Sequence, residues 1–184
     1  MDLKELKILK PEELDELAKL SPAELVDIGI CPTCLNKLTG GKLYGDETPQ
    51  TLYSDSDINC MLVTNPRAAG HMMISSVTHY HDMSEAPSKL NEKMIRFSQE
   101  FMKIICKVYG CERVYLCTMC DGPNNHYHLQ LIPRYSFEKR GSSNFVKPRQ
   151  EYYEDKAKIE EMRKMIATFA EKDKAEHENG KTLI

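Results

Sequence analysis

The sequence predicts an α+β fold, an antiparallel sheet with one long packed helix and further helices at the N- and C-terminal ends. Three observations predict it. From Ser88 to Tyr109, the apolar residues Leu90, Met94, Phe97, Phe101, Ile104 and Val108 step by three or four, as on one face of a helix. Short β-prone runs lie on both sides of that stretch. Two of them, Arg113–Met119 and 126–132, are joined by Asp121-Gly122-Pro123-Asn124-Asn125, a connection short enough for an antiparallel hairpin.

The remaining elements follow in chain order. Residues 2–28 read as helical, on partial leucine stripes interrupted by Pro11 and Pro22. Ser21-Pro22-Ala23-Glu24 combines a cap, a first-turn proline and a capping-box glutamate. Cys31-Pro32-Thr33-Cys34 reads as a turn-rich knuckle, followed by Gly40-Gly41. Strands are expected at Thr51–Tyr53, Cys60–Thr64 and His71–Ser76, with Asn65-Pro66-Arg67 as a turn. Gly110 ends the long helix. Residues 134–150 are polar and loop-like. A last helix is expected from Asp155 to Ala170, with Ile159, Met162, Ile166 and Phe169 on one side. The organisation is therefore an N-terminal helical extension at 1–29, a domain at 30–170 and a charged, frayed tail at 171–184.

The bulk numbers limit the function classes. A chain of 184 residues is long enough to bury a core without staples. A net charge of −3 and a pI near 6.1 argue against non-specific nucleic-acid binding. No apolar run reaches membrane-spanning length, and the start lacks the apolar stretch of a signal peptide, so a cytoplasmic location is expected. Seven cysteines in such a chain suggest reduced thiols or metal ligands rather than a disulfide framework.

The chemistry concentrates in His126-Tyr127-His128-Leu129-Gln130-Leu131-Ile132-Pro133-Arg134. On a strand, His126, His128 and Gln130 share one face, and Leu129 and Leu131 point into a core. A neutral imidazole is a good nucleophile toward phosphorus, and the resulting phosphoramidate can be cleaved again. His128 is the middle group, flanked on the same face by two polar heads placed to orient it, and Gln130 would donate its amide to a non-bridging oxygen. The competing reading is a half-exposed strand with polar heads in solvent.

This strand resembles the signature of the histidine triad superfamily. Further segments carry the resemblance. Asn65-Pro66-Arg67-Ala68-Ala69-Gly70-His71 is similar to the family's turn leading into an apolar strand, with Ala69 where a proline is usual. Ser76-Val77-Thr78-His79 and Asp82-Met83 follow its pattern. Gly141-Ser142-Ser143-Asn144-Phe145 is similar to a motif of the diadenosine tetraphosphate phosphorylase-like branch. Gln130 stands where the hydrolases carry a third histidine, as in that branch and in galactose-1-phosphate uridylyltransferase-like proteins.

The resemblance implies a nucleotidyltransferase, or a nucleotide phosphohydrolase or phosphorylase, working through a covalent nucleotidyl-His128 intermediate. It makes His126, His128 and Gln130 the catalytic set. It offers Asn65, Ser143 and Asn144 as substrate contacts, and Asn124 and Asn125 as replacements for phosphate contacts missing from the short connection. A nucleotide or dinucleotide is the expected ligand, and a homodimer the expected assembly. The alternative is a zinc-stabilised nucleotide-binding or regulatory module without turnover.

Cys31-Pro-Thr-Cys34 has the spacing of half a tetrahedral zinc site. The resemblance supplies the other half, His79 and His126, giving a structural zinc. A rival set, Cys117, Cys120, His126 and His128, would consume the nucleophile. Cys60, Cys106 and Cys111 read as core or interface thiols, and Arg134 as an anchor for a loop or carboxylate.

Overall fold

The computed structural model describes residues 3–45, 50–120, 124–141, 147–151 and 155–179. Four short helices open the chain: α1 (Leu3–Leu6), α2 (Pro11–Leu17), α3 (Pro22–Asp27) and α4 (Pro32–Leu38). Three strands follow, β1 (Thr51–Ser54), β2 (Ile58–Leu62) and β3 (Met72–Ser76). The long helix α5 (Ser88–Tyr109) leads to β4 (Arg113–Cys117), β5 (His128–Arg134) and the final helix α6 (Lys156–Asn179). The strands form one five-stranded antiparallel sheet in the order β1-β2-β3-β5-β4. No described helix is long and apolar enough to cross a membrane.

The sheet has an apolar face and a polar face. Ile58, Cys60, Leu62, Met72, Ile74, Leu129 and Leu131 are buried with Met94, Phe97, Phe101 and Ile104 of α5 and Ile159, Met162 and Ile166 of α6. Each such side chain contributes about 1.5–3 kcal/mol of burial. The alternate residues Asn59, Met61, Met73, Ser75, His128 and Gln130 therefore share the opposite face. Met73 stands opposite Gln130 and Ser75 opposite His128. The expected α5 and hairpin pairing are both present, and Gly110 closes α5 in the left-handed conformation at φ 68°.

Gly70 enters β3 at φ +75°, and a Cβ there would lie 2.7 Å from Cδ2 of Tyr109, the last residue of α5. Only glycine satisfies both the backbone angle and the close approach. The residue before His71 is thereby fixed against the end of the long helix.

Three features differ from expectation. The Cys31–Cys34 knuckle is not a free turn: Cys31 is the N-cap of α4, and its Sγ accepts from the Cys34 N–H at 3.5 Å. His126 stands before β5 rather than in it, so the one-face triplet is a pair. Helix α6 does not fray at Ala170. It runs to Asn179, with buried Asp173 paired to Arg96 of α5 and Lys172 spaced to meet Glu176. The capping box of Ser21 and Glu24 forms as read.

Candidate functional site

Two constellations share the strand-entry segment at His126. The first gathers Cys31, Cys34, His79 and His126, whose donor atoms all lie within 4.8 Å of one another. Nδ1 of His126 is 3.5 Å from Cys31 Sγ and 3.6 Å from Cys34 Sγ, and Nδ1 of His79 is 3.4 Å from Cys34 Sγ. In a tetrahedral zinc centre, usual bond lengths put sulfur and nitrogen about 3.5 Å apart. The cluster therefore has the donor set and spacing of a closed metal site. The His126 Nε2–H donates to the Ser76 carbonyl at 2.8 Å, which turns Nδ1 toward the sulfurs. The Cys31 thiol is held far below its ordinary value by bonding to Cys34, with His126 and His79 adding to the effect. Thiolate character is what a metal ligand requires.

The N-terminal helices explain why the cysteines stay there. Leu6, Leu25, Ile30 and Leu35 bury around Cys31 and Cys34 as a second, smaller core. Residues 3–38 thus pack as the wall behind the cluster. Among the described residues, this is the one group of three or more His, Cys, Asp or Glu side chains placed to hold a metal. The rival set does not assemble: Cys120 Sγ meets Thr118 Oγ1 at 3.0 Å, and Cys117 contacts the Gln130 carbonyl at 3.9 Å.

The second constellation is a directional chain of hydrogen bonds. The Arg67 main-chain N–H donates to His71 Nδ1 at 3.1 Å, which leaves the proton of that ring on Nε2. His71 Nε2–H then donates to Gln130 Oε1 at 3.1 Å. The Gln130 amide donates to His128 Nε2 at 3.1 Å, and His128 Nδ1–H donates to the His126 carbonyl at 2.8 Å. Every tautomer and the amide orientation follow from the first donor, because each link has one consistent direction. The two ends are main-chain groups, which cannot titrate. His71 is fully buried, and burial followed by the Arg149 charge holds its pKa down at about 4. His128 is thereby held with its proton on Nδ1 and its Nε2 accepting from Gln130 on the polar face.

A cavity of about 400 Å³ opens one strand away, between α4 and the polar face of β1 to β3. Met61, Met73, Asn59, Ser75 and His126 line it. Asn36 closes the α4 side, its Oδ1 accepting from the Leu43 and Tyr44 N–H groups at 3.1 and 3.0 Å.

The other expected contacts are placed as follows. The Asn124 and Asn125 amides donate to the Val26 and His81 carbonyls at 3.0 and 2.8 Å, tying the hairpin to α3 and to the His79 segment. Asn65 is exposed on its turn, its carbonyl accepting from Arg149 at 3.0 Å. Ser143, Asn144 and the Asp121-Gly122-Pro123 turn lie outside the described residues. Arg134 pairs with Glu112 and caps the Glu138 carbonyl. Sequence reading missed the part of His71 in the chain. The available signal was its period-two spacing with Met73 and Ser75, which puts it on the His128 face.

Solved structures share the fold. A Zn-bound histidine triad family protein from Mycobacterium smegmatis is 17% identical over 66% of this chain and 86% of its own, with a TM-score of 0.53. A hypothetical histidine triad nucleotide-binding protein from Sulfolobus tokodaii is 17% identical over 65% of this chain and 84% of its own, with a TM-score of 0.50. The chain has the histidine triad fold. No family model and no curated protein sequence matches it.

Proposed function

We propose that the protein transfers or hydrolyses a nucleotidyl group through a covalent nucleotidyl-His128 intermediate. The observation that carries this reading is the one-way chain from Arg67 N–H through His71, Gln130 and His128 to the His126 carbonyl. It keeps the His128 proton on Nδ1 and the lone pair on Nε2, as in-line attack on phosphorus requires. On ligand arrival, the Gln130 amide passes from His128 Nε2 to a non-bridging phosphoryl oxygen, and His71 holds its carbonyl end in place. The bond between phosphorus and the leaving oxygen breaks as the bond to Nε2 forms. The cavity beside Ser75 suits a nucleoside, with methionines against a base and Asn59 near its polar edge.

Cys31, Cys34, His79 and His126 are proposed to hold zinc. With four protein donors, the ion supplies a structural cross-link rather than an open coordination position. The likeness to a Zn-bound protein of the same fold supports this. Metal analysis of the wild type against Cys31→Ser tests it separately from activity.

The decisive experiment is to trap radiolabelled nucleotide on the protein. The expected adduct is acid-labile and base-stable, and it is absent from His128→Ala. Undiminished turnover by that variant would sink the assignment. A binding module without turnover is the second reading, and the Asn124 and Asn125 amides favour it, since both engage main-chain carbonyls. Measurable nucleotide affinity with no adduct would decide for it. A panel of dinucleoside polyphosphates, nucleotide sugars and nucleoside phosphoramidates, with and without phosphate, would define the reaction.

A further inference from the structure

Beyond the His71 end of the polar row, two arginines stand near that ring, Arg67 and Arg149. Arg67 lies behind His71, joined to it through the main-chain bond to Nδ1. Arg149 lies on the segment that follows β5. The two segments are laced together: Arg149 Nη1 donates to the Asn65 carbonyl at 3.0 Å, and the Gln150 N–H to the Pro66 carbonyl at 3.0 Å. Arg67 Nη1 donates to the Lys147 carbonyl.

These arginines are unlike Arg96 and Arg134, which are paired with Asp173 and Glu112. Among the described residues, neither Arg67 nor Arg149 has a carboxylate within 4.0 Å. Arg67 Nε is buried and donates to nothing. Desolvation and the Arg67 charge both hold the Arg149 guanidinium below its ordinary value, although that residue keeps solvent contact. Arg67 thus carries a buried donor that nothing meets, with a second cation nearby, and an anion would answer both. Guanidinium groups present forked donors that match a tetrahedral oxyanion.

We propose that Arg67 and Arg149 form an anion subsite at the His71 end of the row, which takes a phosphate dianion. The subsite lies apart from the cavity, which neither arginine lines. The dianion has two sources, inorganic phosphate as acceptor or the terminal phosphate of the group that leaves. Its part in the reaction rests on the nucleotidyl-His128 reading, whereas binding of the anion does not. In the acceptor role, a phosphate oxygen attacks the phosphorus of nucleotidyl-His128. The bond from phosphorus to Nε2 breaks, and its electron pair returns to the imidazole. The product is a nucleoside diphosphate, which keeps the proton of the attacking phosphate.

The test measures equilibrium binding of inorganic phosphate to the full chain by titration calorimetry. Arg149→Gln and Arg67→Gln are each expected to lose about tenfold in phosphate affinity. His128→Ala is expected to bind phosphate as the wild type does. Thermal unfolding and metal content identify any variant that fails to fold, and exposed Arg149 provides the readout independent of the Arg67 loop. Wild-type phosphate affinity in both arginine variants overturns the proposal. Two further arms identify the source. Slowed phosphate-dependent release of nucleotide from the isolated adduct in Arg149→Gln assigns the acceptor. Slowed adduct formation from a nucleoside triphosphate, with normal formation from a nucleoside phosphorimidazolide, assigns the leaving phosphate. Arginine-dependent phosphate binding without any adduct leaves the subsite standing and removes the nucleotidyl reading.

Discussion

The Cys31, Cys34, His79 and His126 cluster and the hydrogen-bonded row meet at one residue and are built on opposite plans. In the cluster, four side chains from three distant segments converge on one point, and a small leucine core packs behind them. In the row, three side chains pass donors in one direction between two main-chain ends. Convergence makes a cross-link, and direction makes a defined protonation state. His126 belongs to both, through its ring in the first and its carbonyl in the second. The difference teaches that tying distant segments together and fixing the tautomer of one imidazole are separable tasks here.

Variants that separate the tasks can break that comparison. The largest effect is expected from the cluster: Cys31→Ser, or metal removal by a chelator, should cost on the order of 5 kcal/mol in denaturant unfolding. His128→Ala, which leaves the buried Gln130 amide without its acceptor, should cost no more than about 2 kcal/mol of stability and lower turnover by at least about 10³-fold, or ~4 kcal/mol. Equal stability losses in the two variants would show that the regions are a single unit.

The next effect is acid sensitivity. His71 stays neutral down to a pKa of about 4 when folded, whereas the unfolded residue titrates near 6.5. The unfolded chain therefore binds the extra proton between those values, and stability falls as pH drops through the window. The loss attributable to His71 amounts to about 3 kcal/mol at its limit. The groups acting on His71 are Arg149, Arg67, Gln130 and His128. A His71→Asn variant should show a flatter stability profile between pH 6.5 and 4 than the wild type; an unchanged slope would assign the sensitivity elsewhere.

The smallest effect is expected at Gln130, which is only 5% exposed. Gln130→Leu leaves a donor on His71 and an acceptor on His128 unmet, costing about 2 kcal/mol in unfolding free energy. Metal content should not change. Metal loss in this variant would show that the row supports the cluster rather than merely sharing His126 with it.

The elements that a sequence states locally were legible. Helix α5 carries its own stripe and stop signal, so its expected span agrees with the structure. The antiparallel hairpin and the Cys31–Cys34 spacing were equally plain. What was not legible depends on partners far along the chain. His126 leaves the strand because Ser76 and two cysteines more than 90 residues upstream turn its ring away. A period of two cannot register that pull. Residues 171–184 read as a charged, frayed tail, yet Arg96, 77 residues earlier, holds Asp173 in place. His71 joins Gln130 across 59 residues and two strands, a relation visible only once Met73 and Gln130 are in register.

Gly70 carries a consequence for engineering this protein. A methyl group at that position would strike the ring of Tyr109 and oppose a backbone angle of +75°. Its effect would pass to the adjoining His71 and so to the orientation of the Gln130 amide, without altering any ionisable or reactive group. Position 70 is thus a mechanical adjustment for the row, reached from the helix side of the molecule, where a substitution changes alignment and leaves composition of the site intact.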